Sequence, residues 1–378
     1  MNRLSSINRP APRKLAVLFK RATLISIFSV SMLRAEVSAQ QSNTSAVEAE
    51  HSTSQSSDIS DNTSVTQNIE NVEENERDFL TAKQWLARLT EATQSLNYQV
   101  SFIQSRAGSE TIPYLWRHGV LEDGTTVEQL NLQNGPGREL IRVGNVVSVF
   151  EPDVPPYSLY SASINGPIPS QLLYNPRALT KSYKFIKVGR ARVSGRSAQH
   201  IRIVSLDNSR FSYQLWLDEA SGMLLKFNML DLNGNLLEQI QVTSLSIQKE
   251  PHPYFARVNQ ATLPQPMVIT PSQPRKHHWE VDYLPRGMKE VKRDIRRLAL
   301  TGQIVEYKMF SDGLVDVSVY VQMADDAIGA DMVLRHDVNT FLTLTDGQAQ
   351  VTVVGEIPLN TANAIATSLS MHRPDSNG

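Results

Sequence analysis

The chain has few residues in arrangements that could carry out catalysis. It contains no Cys, which excludes thiol catalysis and thiolate metal sites. The spacings typical of zinc proteases, serine hydrolases, phosphate-binding loops and dinucleotide-binding loops do not occur in it. Its one His cluster is His277-His278, and neighbouring strand residues point to opposite faces, so the pair could not easily bind one metal and is interpreted as part of a linker or a polar surface. We therefore predict no catalytic residue, no metal ion and no cofactor, and we interpret His118 and His200 as strand residues that are packed or line a wall of the domain.

A basic cluster in the C-terminal part is the first candidate binding feature. Its members, which we call the basic patch, are Arg286, Lys289, Lys292, Arg293, Arg296 and Arg297. Outside the cytoplasm such a patch could bind the phosphorylated sugars of lipopolysaccharide or an acidic protein. A solvated surface of mixed charge is the alternative, because Glu280 and Asp282 precede the patch and Glu290 and Asp294 lie within it. The formal net charge of −1 argues against a nucleic-acid-binding protein.

Apolar residues that alternate with polar ones along predicted strands form the second candidate feature. A curved sheet that is only partly covered by a helix can enclose a cavity for lipid chains. The residues predicted to line such a cavity are Tyr98, Val100, Phe102, Trp116, Leu130, Leu132, Phe211, Tyr213 and Leu215. A filled hydrophobic core is the alternative for each of them. Burial of each lipid methylene would contribute about 0.8 kcal/mol to binding.

The elements that must position these residues begin near Phe79. Leu80, Trp85, Leu86 and Leu89 follow a helical period, and Thr81 is placed to cap the helix. From Asn97 the period changes to two, and short turn sequences separate the segments, which favours an antiparallel meander. The predicted strands are Asn97–Phe102, Pro113–Leu121, Thr126–Leu132, Glu139–Val143, Val146–Glu151, Ser182–Arg192, Ala198–Ser205, Phe211–Leu217, Met223–Leu230 and Leu236–Ile247.

Proline interrupts this series twice. Residues Pro152–Tyr174 are predicted to form a loop with a short helix, and Lys249–Lys276 a semi-stiff linker or an arm lying across a domain. In the C-terminal unit we predict a basic segment of undetermined type at Lys289–Leu300, a hairpin of Gln303–Phe310 and Leu314–Met323, a strand at Gln348–Val354, and a helix at Thr361–Met371 capped by Asn360. The predicted fold class is α+β, with a large N-terminal antiparallel half-barrel, a helical plug and a smaller C-terminal α+β domain.

The N-terminal 78 residues contain two further segments. Lys20 and Arg21 precede an apolar run of about a dozen residues, which is typical of a secretory signal peptide and shorter than the roughly 20 residues of a membrane span. Cleavage is expected after Ala39, with Ala35 as the alternative, and the mature protein is expected in the periplasm. Gln40–Asp78 carries nine acidic residues and one basic residue, and it is predicted to be disordered, spanning about 35 Å on average. The predicted domains are residues 1–39, 40–78, 79–248, 249–276 and 277–378.

Four sequence segments carry a resemblance to a known family: Arg117–Gly124, Glu128–Glu139, Phe310–Val321 and Val351–Pro358. They resemble motifs of the MucB/RseB family of periplasmic regulators of the envelope-stress sigma factor. Gln214–Lys226 also resembles the lipoprotein-carrier fold, which the first domain of that family shares. The acidic segment Gln40–Asp78 is not part of this resemblance.

The resemblance implies a specific function. A member of this family is expected to bind the periplasmic part of a membrane-spanning anti-sigma factor and to shield it from site-1 proteolysis. Lipopolysaccharide or another acylated lipid is expected to release it. A lipid or lipoprotein carrier is the alternative, although a simple carrier would not need the C-terminal domain. A homo-oligomer is a further partner to consider, because the sequence does not determine the oligomeric state.

Overall fold

The structure is a computed structural model that describes residues 80–135, 137–258, 260–267, 277–297, 303–324 and 331–371. The predicted signal peptide and acidic segment lie outside these residues. Within the described part of the chain, no helix is both long and apolar enough to span a bilayer.

The first described element is the predicted helix, α1, at Ala82–Ser95. Thr81 and Gln84 form a capping box, in which the Thr81 amide donates to the Gln84 side chain at 2.8 Å and the Gln84 amide donates to the Thr81 hydroxyl at 3.3 Å. These bonds satisfy amide groups that have no partner inside the helix. Trp85, Leu86 and Leu89 are buried, so α1 packs its apolar stripe against the first sheet. The predicted helix and cap are confirmed.

An antiparallel sheet of eleven strands forms most of the remaining N-terminal part. The strands are β1 (Asn97–Arg106), β2 (Ile112–Val120), β3 (Thr126–Leu132), β4 (Glu139–Val143), β5 (Val146–Glu151), β6 (Val154–Tyr160), β7 (Tyr183–Val193), β8 (Arg196–Ser205), β9 (Ser212–Asp218), β10 (Leu224–Leu230) and β11 (Leu236–Gln248). Their order in the sheet is β6-β5-β4-β3-β2-β1-β11-β10-β9-β8-β7. The sheet is therefore open, with β6 and β7 at its edges, as expected of a half-barrel rather than a closed barrel.

Strand β6 corrects one prediction, since a loop was expected there. Val154–Tyr160 contains Pro155 and Pro156, yet it pairs with β5 from Val146 to Glu151 with an irregularity near the prolines. Proline lacks an amide donor but is tolerated in an edge strand, which pairs on one side only. The predicted short helix is present as α2 (Ser170–Tyr174), and a 3-10 helix follows it at Pro176–Lys181.

A second sheet, of six strands, forms the C-terminal part. Its strands are β13 (Lys289–Arg297), β14 (Ile304–Ser311), β15 (Asp316–Met323), β16 (Met332–His336), β17 (Asn339–Thr345) and β18 (Ala349–Gly355), in the order β13-β14-β15-β18-β17-β16. Helix α3 (Leu359–Thr367) packs on β17 and β18, and a short β12 (Trp279–Val281) pairs with β19 (Leu369–Met371). The predicted hairpin is confirmed as β14 and β15, and the basic segment of undetermined type is a strand.

Two features of this part differ from the sequence prediction. The hairpin of β16 and β17 was not predicted. The closing helix ends at Thr367 rather than Met371, because Leu369–Met371 pairs with β12. The helix also begins earlier than expected, so Pro358 and not Asn360 occupies the cap position, where its carbonyl accepts from the amides of Thr361 and Ala362.

The described part of the proline-rich segment, up to Met267, is an arm on the outer face of the first sheet. The Tyr254 hydroxyl donates to Glu139 at 2.8 Å, and the Met267 amide donates to the Ser158 carbonyl of β6 at 2.8 Å. Gly119 allows this close approach, since a Cβ there would lie 3.0 Å from Pro251 and 3.4 Å from Phe255. For the residues up to Met267, the structure has the arm rather than the linker, and the rest of the predicted segment lies outside the described residues.

Candidate binding surfaces

The predicted cavity residues lie on the inner face of the first sheet, beneath α1. Strand register places Val100 opposite Trp116 and Trp116 opposite Leu130. Leu215 lies on β9, which is separated from β1 by β11 and β10. Eight of the nine are buried and belong to one apolar cluster, and Leu132 is half-buried. The structure therefore brings these residues onto one buried face. Their contact with a lipid remains a prediction.

This inner face also contains a buried ion pair that the sequence did not reveal. Glu128 and Arg142 are opposite each other on β3 and β4, and the Arg142 Nε lies 2.5 Å from the Glu128 carboxylate. The same carboxylate accepts from the Trp116 indole at 3.0 Å and from the Tyr174 hydroxyl at 2.9 Å. A buried charge of this kind is stable only when it is paired and hydrogen-bonded. Four side chains from β2, β3, β4 and α2 are thus held in one geometry.

His118 extends this buried cluster. Its ring stacks on Tyr98 with centroids 5.2 Å apart, and its Nδ1 lies 2.7 Å from the Leu96 carbonyl. Burial lowers the pKa of His118 from its ordinary value and raises the pKa of Tyr98 well above 10.0. The interpretation of His118 as a packed residue is confirmed. His200, by contrast, lies half-buried on the outer face and stacks on Trp216 at 4.5 Å.

A second polar cluster joins the two sheets, and we call it the inter-sheet clasp: Tyr183, Asp207, Arg210, Arg286 and Asp312. The Arg210 side chain is fully buried and donates to the carboxylate of Asp312, which is also fully buried. It further donates to Asp207 and to the Arg286 carbonyl, at 3.0 Å and 2.9 Å. The Tyr183 hydroxyl donates to Asp312 at 2.8 Å. Because Tyr183 lies in β7 and the other residues lie in loops that connect strands of both sheets, the clasp holds the sheets in contact.

Two glycines allow backbone segments of the C-terminal part to lie close to the first part at the clasp. Gly287 has a φ of +82°, and a Cβ there would lie 2.1 Å from the Ser182 hydroxyl. Gly313 has a φ of +94°, and a Cβ there would lie 2.8 Å from Gln171. Gly313 serves the turn between β14 and β15, and its lack of a side chain also makes room for α2.

A separate contact joins the sheets through Asp337, in the turn between β16 and β17. The Ser109 hydroxyl donates to Asp337 at 2.5 Å, and Arg106 lies 3.8 Å from its carboxylate. Arg106 also pairs with the buried Glu238 at 2.5 Å. Charged groups among the described residues therefore join the sheets at Asp337 as well as at the clasp.

Acid should weaken the clasp at Asp207. Burial acts to raise the pKa of this carboxyl, but hydrogen bonds from Ser205, Ser209, the Arg286 amide and Arg210 outweigh it and place the pKa well below 3.8. A carboxyl with a depressed folded-state pKa stabilises the fold above its unfolded pKa, and this contribution is lost as the pH falls towards the folded value. We expect Asp207→Asn to be less stable than the wild type at pH 7, with a difference that narrows below about pH 4. Thermal unfolding of both proteins from pH 7 to pH 3 measures this, and a constant difference across the range would contradict it.

The basic patch lies along β13, an edge strand of the second sheet. Among the described residues, β13 pairs with β14 alone. The side chains of Arg286, Lys289, Lys292, Arg293 and Arg297 are exposed, while that of Arg296 lies outside the described residues. Arg293 donates to Glu290 on its own strand, and the backbone of Arg286 belongs to the clasp. The patch is therefore a mainly cationic strand edge that also contains acidic residues.

Sequence reasoning missed the buried ion pair and the clasp. One local signal existed for Glu128, because Leu130 and Leu132 follow it on the same face of β3 and are apolar. No comparable signal existed for Arg210 and Asp312, which are 102 residues apart. Among the residues that the structure describes, no three His, Asp or Glu side chains converge on a point where they could hold a metal ion.

Comparison with known families finds matches for both parts of the chain. A family model described as the MucB/RseB N-terminal domain matches residues 81–267, and one described as the MucB/RseB C-terminal domain matches residues 273–370. The sigma-E factor regulatory protein RseB of Escherichia coli is 34% identical over 286 residues, which cover 75% of this chain and 89% of that protein. The sigma factor AlgU regulatory protein MucB of Pseudomonas aeruginosa is 29% identical, with 76% and 90% covered.

Two solved structures resemble the whole described fold. MucB in complex with MucA(peri) superposes with a TM-score of 0.60 at 28% identity, covering 78% of this chain and all of that one. The MucA/MucB complex of Pseudomonas aeruginosa gives a TM-score of 0.62 at 27% identity, covering 78% and 99%. The similarity therefore includes both sheets.

Proposed function

Because this chain belongs to the MucB/RseB family, we propose that it binds the periplasmic domain of a membrane-spanning anti-sigma factor. In this proposal the bound partner is shielded from site-1 proteolysis, and lipopolysaccharide or another acylated lipid releases it. The chain acts as a regulatory binding protein of the periplasm rather than as an enzyme. The expected signal peptide agrees with that location.

One observation carries the proposal. The fold of this chain matches MucB over the full length of the MucB chain that was solved in complex with MucA(peri). The similarity to sequence relatives also covers about nine-tenths of their length, so both parts of those regulators have counterparts here. A carrier that only transported lipid would have no use for the second sheet.

We place the partner on the second sheet, along β13. An edge strand presents unpaired backbone groups to which an extended peptide can add as a further strand. The basic patch on this strand would set the register and orientation of the added segment through its exposed Lys289 and Lys292. The arm on the first sheet, which leads towards this unit, assists in holding the partner.

We place the lipid on the inner face of the first sheet. Most of the predicted lining residues are buried there beneath α1. The hydroxyl of Tyr213 is buried without a hydrogen-bond partner among the described residues, so a polar group of a ligand could satisfy it. Release of the partner requires that the lipid bind the free form more tightly than the partner-bound form. The clasp connects the two sheets, so lipid binding on the first sheet can change partner affinity on the second sheet through it.

Calorimetric titration of the mature chain tests the proposal. The titrant is the periplasmic fragment of the cognate anti-sigma factor, added with and without purified lipopolysaccharide. We expect tight binding that weakens when lipopolysaccharide is present, and slower cleavage of the bound fragment by the site-1 protease. Binding of lipopolysaccharide without any affinity for the fragment would contradict the proposal and favour the carrier.

A charge-reversal variant tests the location of the partner. In Lys289→Glu/Lys292→Glu we expect affinity for the fragment to fall roughly tenfold, equivalent to about 1.4 kcal/mol. The matched control is Lys184→Glu/Arg192→Glu, which makes the same change of charge on the edge strand β7 of the first sheet. Equal losses in both variants would indicate a general electrostatic effect and contradict a site on β13.

A further inference from the structure

The first sheet has a segment of one-sided charge that the proposed function does not use. Between Asp153 and Asp207 there is no acidic residue in 53 positions. The same interval contains eight basic residues: Arg177, Lys181, Lys184, Lys187, Arg190, Arg192, Arg196 and Arg202. The chain as a whole is nearly neutral, so this interval concentrates positive charge on one part of the surface.

The structure places most of this charge on the hairpin of β7 and β8, at an edge of the sheet. Lys184 and Arg192 on β7 and Arg202 on β8 are exposed, and Val188 on β7 is 51% exposed. In the described part of the chain, β7 pairs with β8 alone. The hairpin therefore presents a cationic strand edge together with an exposed apolar side chain.

Lysines on an edge strand often serve only to prevent aggregation. The other edge of the same sheet shows a different solution. Strand β6 contains no Lys or Arg, and the arm covers it through a bridge between Ser158 and Pro266. One edge is thus covered by the chain itself, while the other concentrates positive charge, which suggests that it has an acidic cover of its own.

Neighbouring carboxylates neutralise only part of this surface. Glu219 pairs with Arg190 at 2.8 Å, and Asp218 pairs with Arg196 at 2.9 Å. Positive charge also acts on His200, since burial and the nearby Arg202 both lower the pKa of its ring. The exposed Lys184, Arg192 and Arg202 give an anionic segment a site along the outer edge of β7.

The acidic segment of the same chain reaches the structure close to this edge. It ends where α1 begins, and α1 packs against β7. Arg88 of α1 donates to the Glu219 carbonyl at 3.3 Å, and Glu219 pairs with Arg190 of β7. Leu80 is eight residues before Arg88, which corresponds to about 12 Å along a helix. The last acidic residues before Leu80 therefore start within reach of the hairpin.

We propose that the acidic segment, from Glu48 to Asp78, docks along the cationic edge of β7. It contains nine acidic residues, and five of them lie between Glu70 and Asp78, next to the described chain. Val65, Ile69 and Val72 supply apolar side chains that can contact Val188. Because the segment is covalently attached, its effective concentration at the edge is in the millimolar range, so weak contacts are sufficient. Docking covers the open edge and excludes other anionic ligands from it. This proposal does not depend on the proposed function.

Zero-length cross-linking of the mature chain tests the docking. A carbodiimide joins a carboxylate to a lysine amine only when the two groups are in contact, and mass spectrometry locates the new amide bond. We expect cross-links from residues Glu70–Asp78 to Lys181, Lys184 and Lys187, and their loss at about 0.5 M salt, where exposed charges are strongly screened. A mixture of unlabelled and 15N-labelled protein separates links within one chain from links between two copies.

Matched variants locate the site. Arg192→Glu/Arg202→Glu leaves the three lysines in place but removes positive charge, and we expect it to reduce these cross-links several-fold. Arg192→Gln/Arg202→Gln serves the same purpose if the reversal fails to fold. Lys289→Glu/Lys292→Glu makes an equal change on β13 and should have no effect. Cross-links that form mainly with β13, that join two copies, or that are absent at low salt would overturn the proposal.

Discussion

Replacing Arg210 with Met is expected to destabilise the protein by about 3–5 kcal/mol. The substitution leaves the fully buried carboxylate of Asp312 without its counter-ion and with the Tyr183 hydroxyl as its remaining partner from the first sheet. It also removes the donors to Asp207 and to the Arg286 carbonyl. Because these contacts join the two sheets, we expect the sheets to unfold in separate transitions. Urea unfolding followed by Trp fluorescence measures both effects.

Two further variants make this test specific. Arg138 pairs with Glu151 at 2.7 Å but is 48% exposed, so Arg138→Met should lower stability by no more than about 1 kcal/mol. In Arg210→Met/Asp312→Leu neither charge is left buried alone, so part of the lost stability should return. If Arg210→Met behaved like Arg138→Met, the clasp would have no structural role.

Replacing Glu128 with Leu is the second change expected to have a large effect, again about 3–5 kcal/mol. It leaves Arg142, which is nearly fully buried, without a counter-ion, and it removes the acceptor for the Trp116 indole and the Tyr174 hydroxyl. The loss should fall on the first sheet, so the second sheet should retain its own unfolding behaviour. Thermal unfolding followed by circular dichroism and by Trp fluorescence measures it.

Glu128→Gln is the matched control for this change. It keeps the acceptor oxygen that faces Trp116 and Tyr174, but it removes the charge and turns an NH2 donor towards Arg142. We expect its effect to be smaller than that of Glu128→Leu, because unpaired buried donors add a penalty of about 1–3 kcal/mol. Equal effects of the two substitutions would show that the hydrogen bonds contribute little and that the charge alone matters.

The buried ion pair and the clasp bear differently on the proposed function. The ion pair lies on the face where the lipid is proposed to bind, and it positions Trp116 and Tyr174 there. The clasp joins that sheet to the one where the partner is proposed to bind. A variant such as Arg210→Met, examined under conditions where it is folded, should therefore bind both ligands but lose the effect of one on the other. That loss is the signature of a broken coupling between two sites.

Much of the secondary structure could be predicted from the sequence, because local chemistry decides it. The helical period from Leu80 to Leu89, with Thr81 before it, predicted α1 and its cap correctly. Alternation and turn residues predicted most strands of the first sheet, and Ser311-Asp312-Gly313 predicted the turn between β14 and β15. The errors arose where pairing overrides local preference. Pro155 and Pro156 are accepted in β6 because it is an edge strand, and Leu369–Met371 is a strand because β12 lies beside it.

The α+β class, the absence of recognisable catalytic motifs and the likeness to a family of periplasmic regulators could therefore be inferred from the residues alone. Which charges meet depends on the folded arrangement. Arg210 and Asp312 are 102 residues apart, and nothing near either residue in the chain indicates the other. Glu128 and Arg142 become partners through the register of β3 and β4. Strand periodicity identifies the face to which a side chain belongs, but contacts between distant residues depend on how the whole sheet is paired and packed.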